Sequence, residues 1–220
     1  MNDIAVYSCI TGEYETSKTE QNWGGADWYM FTDQVLPDNP SPDGWKYLPA
    51  TAMFTDPRRN ARWHKLLSHQ IFPEYKHTIW IDGSIVLNIT PEELVGKMGD
   101  ADIMTFRHPE RKLPSEEALE CMRLRLDDIN VIKDHISRIG DSPFSGELAE
   151  TKVVVRKNNL DVELFNQEWF YQLMSGTIRD QISFPYAAGM TGVKVKYMTP
   201  ISRGNADFSI RPHVRDPRYG

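Results

Sequence analysis

The run Trp80-Ile81-Asp82-Gly83-Ser84 sets an acid and a glycine directly after a short apolar stretch. At the carboxyl end of a buried strand, a carboxylate followed by glycine can approach a phosphate or a divalent cation closely, because glycine adds no side-chain bulk. Asp-Gly is equally a common turn pair, so on this feature alone the chemical role and the plain turn weigh about the same. A phosphatase-type strand end is rejected. That chemistry needs an Asp nucleophile two residues earlier, where Trp80 stands.

Three further groups could work with Asp82. Arg58, Arg59, Arg62 and Lys65 precede it, and such a cationic cluster beside an acidic strand end is what a diphosphate held near a metal requires. A solvated basic face is the bland alternative. Lys65, beside Leu66, should sit at the border of the buried face, which makes it the best phosphate candidate of the four. Arg179-Asp180-Gln181 combines a guanidinium, a carboxylate and an amide, suited to sugar hydroxyls. Asp180 could also steady positive charge at an anomeric carbon. A capping Asp paired with its neighbouring Arg would look the same. His213 is a possible metal ligand in a polar tail, where histidines without a role are commoner.

These residues need a scaffold, and the composition supplies one. The chain has 220 residues, 40% of them hydrophobic, with six Trp, nine Tyr and nine Phe. That suffices for one sizeable core without disulfide or metal staples. A formal charge of −6 argues against nucleic acid as the main partner, since phosphate backbones call for a basic face. Cys9 and Cys121 fit no metal spacing and read as small core residues. No run approaches membrane-spanning length and no leader pattern opens the chain, which points to the cytoplasm. The oligomeric state is not readable.

Short apolar runs alternate with helical patterns, which predicts an α/β domain with a mixed, mostly parallel sheet. Strands are expected at residues 4–10, 28–32, 45–48, 78–81, 85–87, 103–107, 152–156 and 193–197. Helices are expected over residues 58–72, where Pro73 ends the pattern, and from Thr90, where Thr90-Pro91-Glu92-Glu93 forms a capping box. One long amphipathic helix is expected through Ala118, Met122, Leu126, Ile129 and Ile136, and another from Val162 to near Gly176. Arg179-Asp180-Gln181 opens a short aromatic segment. A single domain over residues 1–210 and a tail over 211–220 complete the organisation.

Taken in order, Lys65-Leu66, Tyr75, residues 79–87 (IWIDGSIVL) and the capped helix at Thr90 resemble glycosyltransferases of the GT-A fold, family eight in particular. Closer still is the resemblance to a less characterised glycosyltransferase-like domain of plant seed-mucilage proteins and bacteria. Its motifs look like residues 29–33 (YMFTD), 69–83 (HQIFPEYKHTIWIDG), His108-x-x-Arg111 with Glu117-Ala118, 150–158 (ETKVVVRKN) and 179–184 (RDQISF). The likeness spans nearly the whole chain.

The resemblance implies a single-domain, Rossmann-like GT-A fold and transfer of a sugar from a nucleoside-diphosphate donor, commonly a UDP-sugar, to a glycan or other acceptor. It implies that Thr11, Tyr14 and Asp33 meet the nucleobase and that Lys65, with Arg62, holds the diphosphate. Asp82 would be the surviving acid of a D-x-D pair that binds Mn²⁺ or Mg²⁺ and the ribose, with His213 completing the metal site. Glu150 and Thr151 would face the donor sugar, and Asp180-Gln181 would match the family-eight pair there. Family-eight likeness favours retention of configuration; an inverting enzyme would need a base, for which Glu150 is the candidate. Ser84 replaces the second acid, which removes a ligand and a charge. This leaves metal dependence open and is the feature in favour of the rival reading, a sugar- or nucleotide-binding domain without turnover, against which Asp82, Lys65, Glu150 and Asp180-Gln181 stand.

Overall fold

The segment Ile4–Ile10 (β1) is buried at all seven positions, which an extended chain achieves when both faces of its sheet are covered. The computed structural model describes residues 2–12, 15–34, 41, 44–141, 147–201 and 204–212. After β1 the chain forms β2 (Asp27–Thr32), β3 (Lys46–Pro49), α1 (Pro57–Leu66), α2 (Ser68–Ile71), β4 (His77–Ile81), β5 (Ile85–Leu87) and α3 (Pro91–Gly96). It continues through β6 (Ile103–Arg107), α4 (Pro114–Arg123), α5 (Ile129–Ile139), β7 (Ala149–Lys157), α6 (Leu160–Met174), α7 (Asp180–Thr191), β8 (Val195–Met198) and β9 (Phe208–Ile210).

Seven strands form one sheet in the order β3-β2-β1-β4-β7-β6-β8, and β5 pairs with β9 in a small second sheet. β3, β2, β1 and β4 run parallel, as do β6 and β8, while β7 is antiparallel to both its neighbours. This is the mixed, mostly parallel α/β sheet that the alternating pattern predicts. One face carries Val6, Ile79, Ile81, Val153 and Val155 against Leu94 of α3 and the small sheet. The other carries Ala5, Tyr7, Trp80 and Val154 against Leu66, Phe165, Trp169 and Phe184 from α1, α6 and α7. Both cysteines are buried and unpaired with each other.

Several expected elements differ, each for a local reason. The helix expected over residues 58–72 is divided at Leu67, whose ψ of 41° leaves the helical range. The long helix expected through Ala118 and Ile136 is two helices. Arg125 takes φ 52°, and Asp128 caps the second helix by accepting from the backbone N–H of Asn130 and Val131. The apolar spacing runs on through the break because both helices pack on Ile182. The aromatic segment after Arg179 is a full helix, α7, with Pro185 inside it. β9, three residues long, is too short to show a period; after it, the Arg211 N–H donates to the Ser84 carbonyl at 2.8 Å.

β7 is longer than its apolar run and carries a bulge. Thr105 pairs with Val154, but Phe106 pairs with Glu150, so residues 151–153 have no counterpart on β6. The Thr105 hydroxyl holds the bulge by donating to the Val153 carbonyl at 2.8 Å. Bulges re-aim side chains, and here Thr151 turns toward α1 and α7.

Arg125 is exposed and in the left-handed region, where a Cβ is strained. Arg125→Gly is therefore expected to raise stability by about 0.5–1 kcal/mol, read from the midpoint of urea unfolding. A lower midpoint would contradict this assignment of strain.

Candidate active site

Because β1 and β4 are parallel, their carboxyl ends open on one edge of the sheet, and antiparallel β7 brings its amino end there. A cleft of about 400 Å³ lies at this edge, lined by Thr11, Gly12, Arg62, Lys65, Asp82, Ser84, Thr151, Lys152, Asp180 and Gln181, among others. Lys65 stands in the last turn of α1 and Asp180 in the first turn of α7, the helix ends that favour a cation and an anion respectively.

The centre of the cleft is ionic. The Lys65 ammonium lies 2.7 Å from Asp180 Oδ2, with side chains only 2% and 4% exposed. It donates to the Thr151 hydroxyl at 3.0 Å, and Thr151 donates onward to Asp180 Oδ2 at 2.9 Å. Arg62 Nε approaches Asp180 Oδ1 at 3.3 Å. Asp82 Oδ1 accepts from the Trp80 indole N–H at 2.7 Å and lies 3.7 Å from Lys65. Burial alone would drive the Asp180 carboxyl up, but Arg62, Lys65 and Arg179 together hold it well below the usual carboxylate range. Burial pulls the Lys65 ammonium below its ordinary value, against the opposing pull of Asp180 and Asp82.

The structure thus brings Thr11, Arg62, Lys65, Asp82, Thr151, Asp180 and Gln181 to one cleft. Lys65 departs from the expected border position: it is wholly buried and already engaged, so it holds the two carboxylates rather than standing free for phosphate. The cleft cations with exposed surface are Arg58, 60% exposed, Lys152, 34%, Arg179, 28%, and Arg62, 24%. Arg59 serves the scaffold, and Arg58 lines the cleft with its charge engaged. Arg58 pairs with its own cap, Asp56, and Arg59 donates to the Leu173 carbonyl at 3.0 Å. The Thr11 hydroxyl donates to the Pro57 carbonyl, and Asp33 accepts the Gly12 N–H on both oxygens at 2.9 and 3.1 Å. Glu150 does not line the cleft; it is buried beside it, 2.6 Å from Lys152 Nζ. Tyr14 and His213 lie outside the described residues.

A divalent cation finds few ligands here. Among the described residues, no group of three or more His, Cys, Asp or Glu side chains could share one. Asp82 has Ser84 where a second acid would stand, and the Lys65 charge lies beside its inner oxygen. The described residues do not by themselves fit Mn²⁺ or Mg²⁺. Nor does Cys9 offer a nucleophile, although it lines the cleft 3.6 Å from His64 Nδ1. Burial and the Asp33 charge push its thiol far up, and burial lowers His64 to about 4.

Sequence reasoning missed Lys152 and Thr105. Lys152 belongs to a valine-rich strand, and only the bulge brings its end to the cleft. The buried acid Glu117 was visible only as part of a motif.

The sheet order and the cleft at its carboxyl edge define a GT-A-like, glycosyltransferase-type fold. The apo structure of WbbM, a bifunctional glycosyltransferase, superimposes with a TM-score of 0.52 at 13% identity, over 90% of this chain and 38% of that one. Residues 43–201 match the TOD1/MUCI70 glycosyltransferase-like domain, and the chain belongs to that family. Among curated proteins of Arabidopsis thaliana, it is 26% identical to the probable hexosyltransferase MUCI70, over 82% of this chain and 36% of the relative. It is 25% identical to the alkaline ceramidase TOD1, over 76% of this chain and 43% of the relative. The chain therefore spans less than half the length of these relatives. Among the described residues, no helix is long and apolar enough to cross a membrane.

Removing one partner of a buried ion pair strands the other. Lys65→Met is expected to cost about 3 kcal/mol in urea unfolding, and a neutral result would contradict the pairing. Asp180 has a depressed folded pKa. Its contribution is complete above the unfolded value of about 3.9 and is lost as pH falls through the folded value. Between pH 5 and 2, wild type should lose stability that Asp180→Asn does not; parallel curves would contradict this.

Proposed function

We propose that this domain transfers a hexosyl group from a nucleoside-diphosphate sugar, a UDP-sugar in the first instance, to a hydroxyl of a glycan or other acceptor. The observation that carries the reading is the buried Asp180, ion-paired with Lys65 and Arg62, in a cleft that also holds Asp82 and Lys152. Transfer breaks the bond between the anomeric carbon and the β-phosphate oxygen, whose electrons pass to the diphosphate. Arg62 and Lys152 stabilise that charge as it develops. The acceptor oxygen bonds to the anomeric carbon, and its proton passes to the departing phosphate oxygen on the same face, so the configuration is retained. Asp180, fixed by Lys65 and Thr151, faces the oxocarbenium-like carbon as a stabilising charge, and Gln181 meets a sugar hydroxyl. Thr11 and Asp33 border the nucleoside and Asp82 the ribose, with Tyr14 as a further nucleobase contact. Glu150 acts through Lys152. Were a divalent cation bound, Asp82 and His213 would be its protein ligands and it would add positive charge at the diphosphate. The steps above rest on the chain's own cations.

Two other readings have specific support. Ser84, in place of an acid, favours a sugar- or nucleotide-binding domain without turnover. The name of the ceramidase relative suggests amide hydrolysis, but the Cys9–His64 pair, with its thiol pushed up and its imidazole lowered, is poorly suited to nucleophilic attack.

The test is thermal denaturation with UDP, other nucleoside diphosphates and UDP-hexoses, each with Mn²⁺, Mg²⁺ or EDTA. One nucleotide is expected to stabilise the chain by roughly 4 kcal/mol at a thousandfold excess over its dissociation constant, and to do so in EDTA. Asp82→Ala should abolish this stabilisation and leave the unliganded midpoint near wild type. Binding without release of UDP from any UDP-hexose would favour the binding domain. No response across the panel would remove the donor assignment.

A further inference from the structure

Glu117 of α4 has a side chain only 3% exposed and does not line the cleft, yet it is the hub of a charged cluster reaching the site. Its Oε2 takes Arg111 Nε at 2.6 Å and lies 3.7 Å from His108 Nε2. Its Oε1 accepts the Cys121 thiol at 3.3 Å and lies 3.6 Å from Arg179 Nη2. A buried carboxylate needs a compensating charge, and Arg111 alone supplies one. The second oxygen is directed to Arg179, the residue that opens α7 just before Asp180 and Gln181.

Arg179 Nη2 is also 3.5 Å from Gln181 Oε1. With its amide oxygen facing the guanidinium, Gln181 has its NH₂ left to donate into the cleft. The approach to α7 is held by a second acid from the same helical pair. Asp127, at the α4–α5 break, accepts from the Thr177 hydroxyl at 2.7 Å and from the Ile178 N–H at 2.8 Å. The backbone entering Arg179 is thus fixed, and Glu117 acts on its guanidinium together with Cys121 and Asp180.

We propose that Glu117 is a positioning residue that acts through Arg179 to fix the group Gln181 presents to the cleft. The kinetic part of this rests on the transferase reading; the positioning itself does not.

The test compares Glu117→Gln with Arg111→Gln in the full chain. Each removes one charge from the same buried pair, and both are expected to lower the unfolding midpoint. Only Glu117→Gln should shift the Gln181 side-chain amide in ¹⁵N spectra, assigned by its loss in Gln181→Leu, and speed exchange of the Arg179 Nη protons. In hydrolysis of UDP-hexoses, with water as acceptor, Glu117→Gln should lower kcat roughly tenfold, with little change in KM. Arg111→Gln should leave kcat unchanged. Glu117→Asp, which keeps the charge, should restore part of the loss and serves if the Gln variant does not fold. Equal effects of Glu117→Gln and Arg111→Gln on the Gln181 amide, or none from either, would overturn the proposal. If wild type turns over no nucleotide sugar, the transferase reading fails and the spectra alone decide the role of Glu117.

Discussion

Lys65 and Asp180 are both withdrawn from water and meet at 2.7 Å beneath the cleft. Each alone would cost several kcal/mol to bury as an ion, so neither position is tolerable without the other. Much of the local fold serves this meeting. The last turn of α1 delivers the ammonium and the first turn of α7 delivers the carboxylate. The β7 bulge turns Thr151 to bond both. Trp80, two residues before Asp82, holds that second acid by its indole N–H. An unmatched partner among these buried polar groups would be costly.

The same pairing decides what the cleft can do. A carboxylate this buried would ordinarily take up a proton. The surrounding cations keep Asp180 charged, which is the state needed beside a carbon that becomes positive. Lys65 in turn does not stand free, so the accessible positive charge of the cleft is carried by partly exposed residues, among them Arg62, Lys152 and Arg179. A conventional two-acid metal site would place a second carboxylate at Ser84. Here a lysine charge already lies next to the remaining acid.

Much of this was legible in the chain. Valine- and isoleucine-rich runs mark β1, β4 and β7 because both sheet faces are covered, and Thr90-Pro91-Glu92-Glu93 marks α3 because its capping groups are local. Asp82, Lys65, Thr151 and Asp180, which share the cleft, were nameable as candidates, the first from its place after a strand and the others partly through resemblance. What escaped depended on distant partners. The α4–α5 break hides beneath apolar spacing that both helices share. The bulge arises from register with β6, so neither Lys152 at the cleft nor the depth of Lys65 could be read from spacing. α7 tolerates Pro185 because its packing against α6 outweighs a lost backbone bond, which propensity alone would not reveal.

The domain spans less than half of the curated relatives it matches, so its own cleft is where its chemistry must be tested. The most direct measurement is a crystal structure of the chain with UDP. The account predicts the diphosphate against Arg62 and Lys152, the ribose toward Asp82, and the Lys65–Asp180 pair intact beneath them. A nucleotide bound elsewhere, or a diphosphate that displaces Asp180 to bond Lys65 directly, would contradict it.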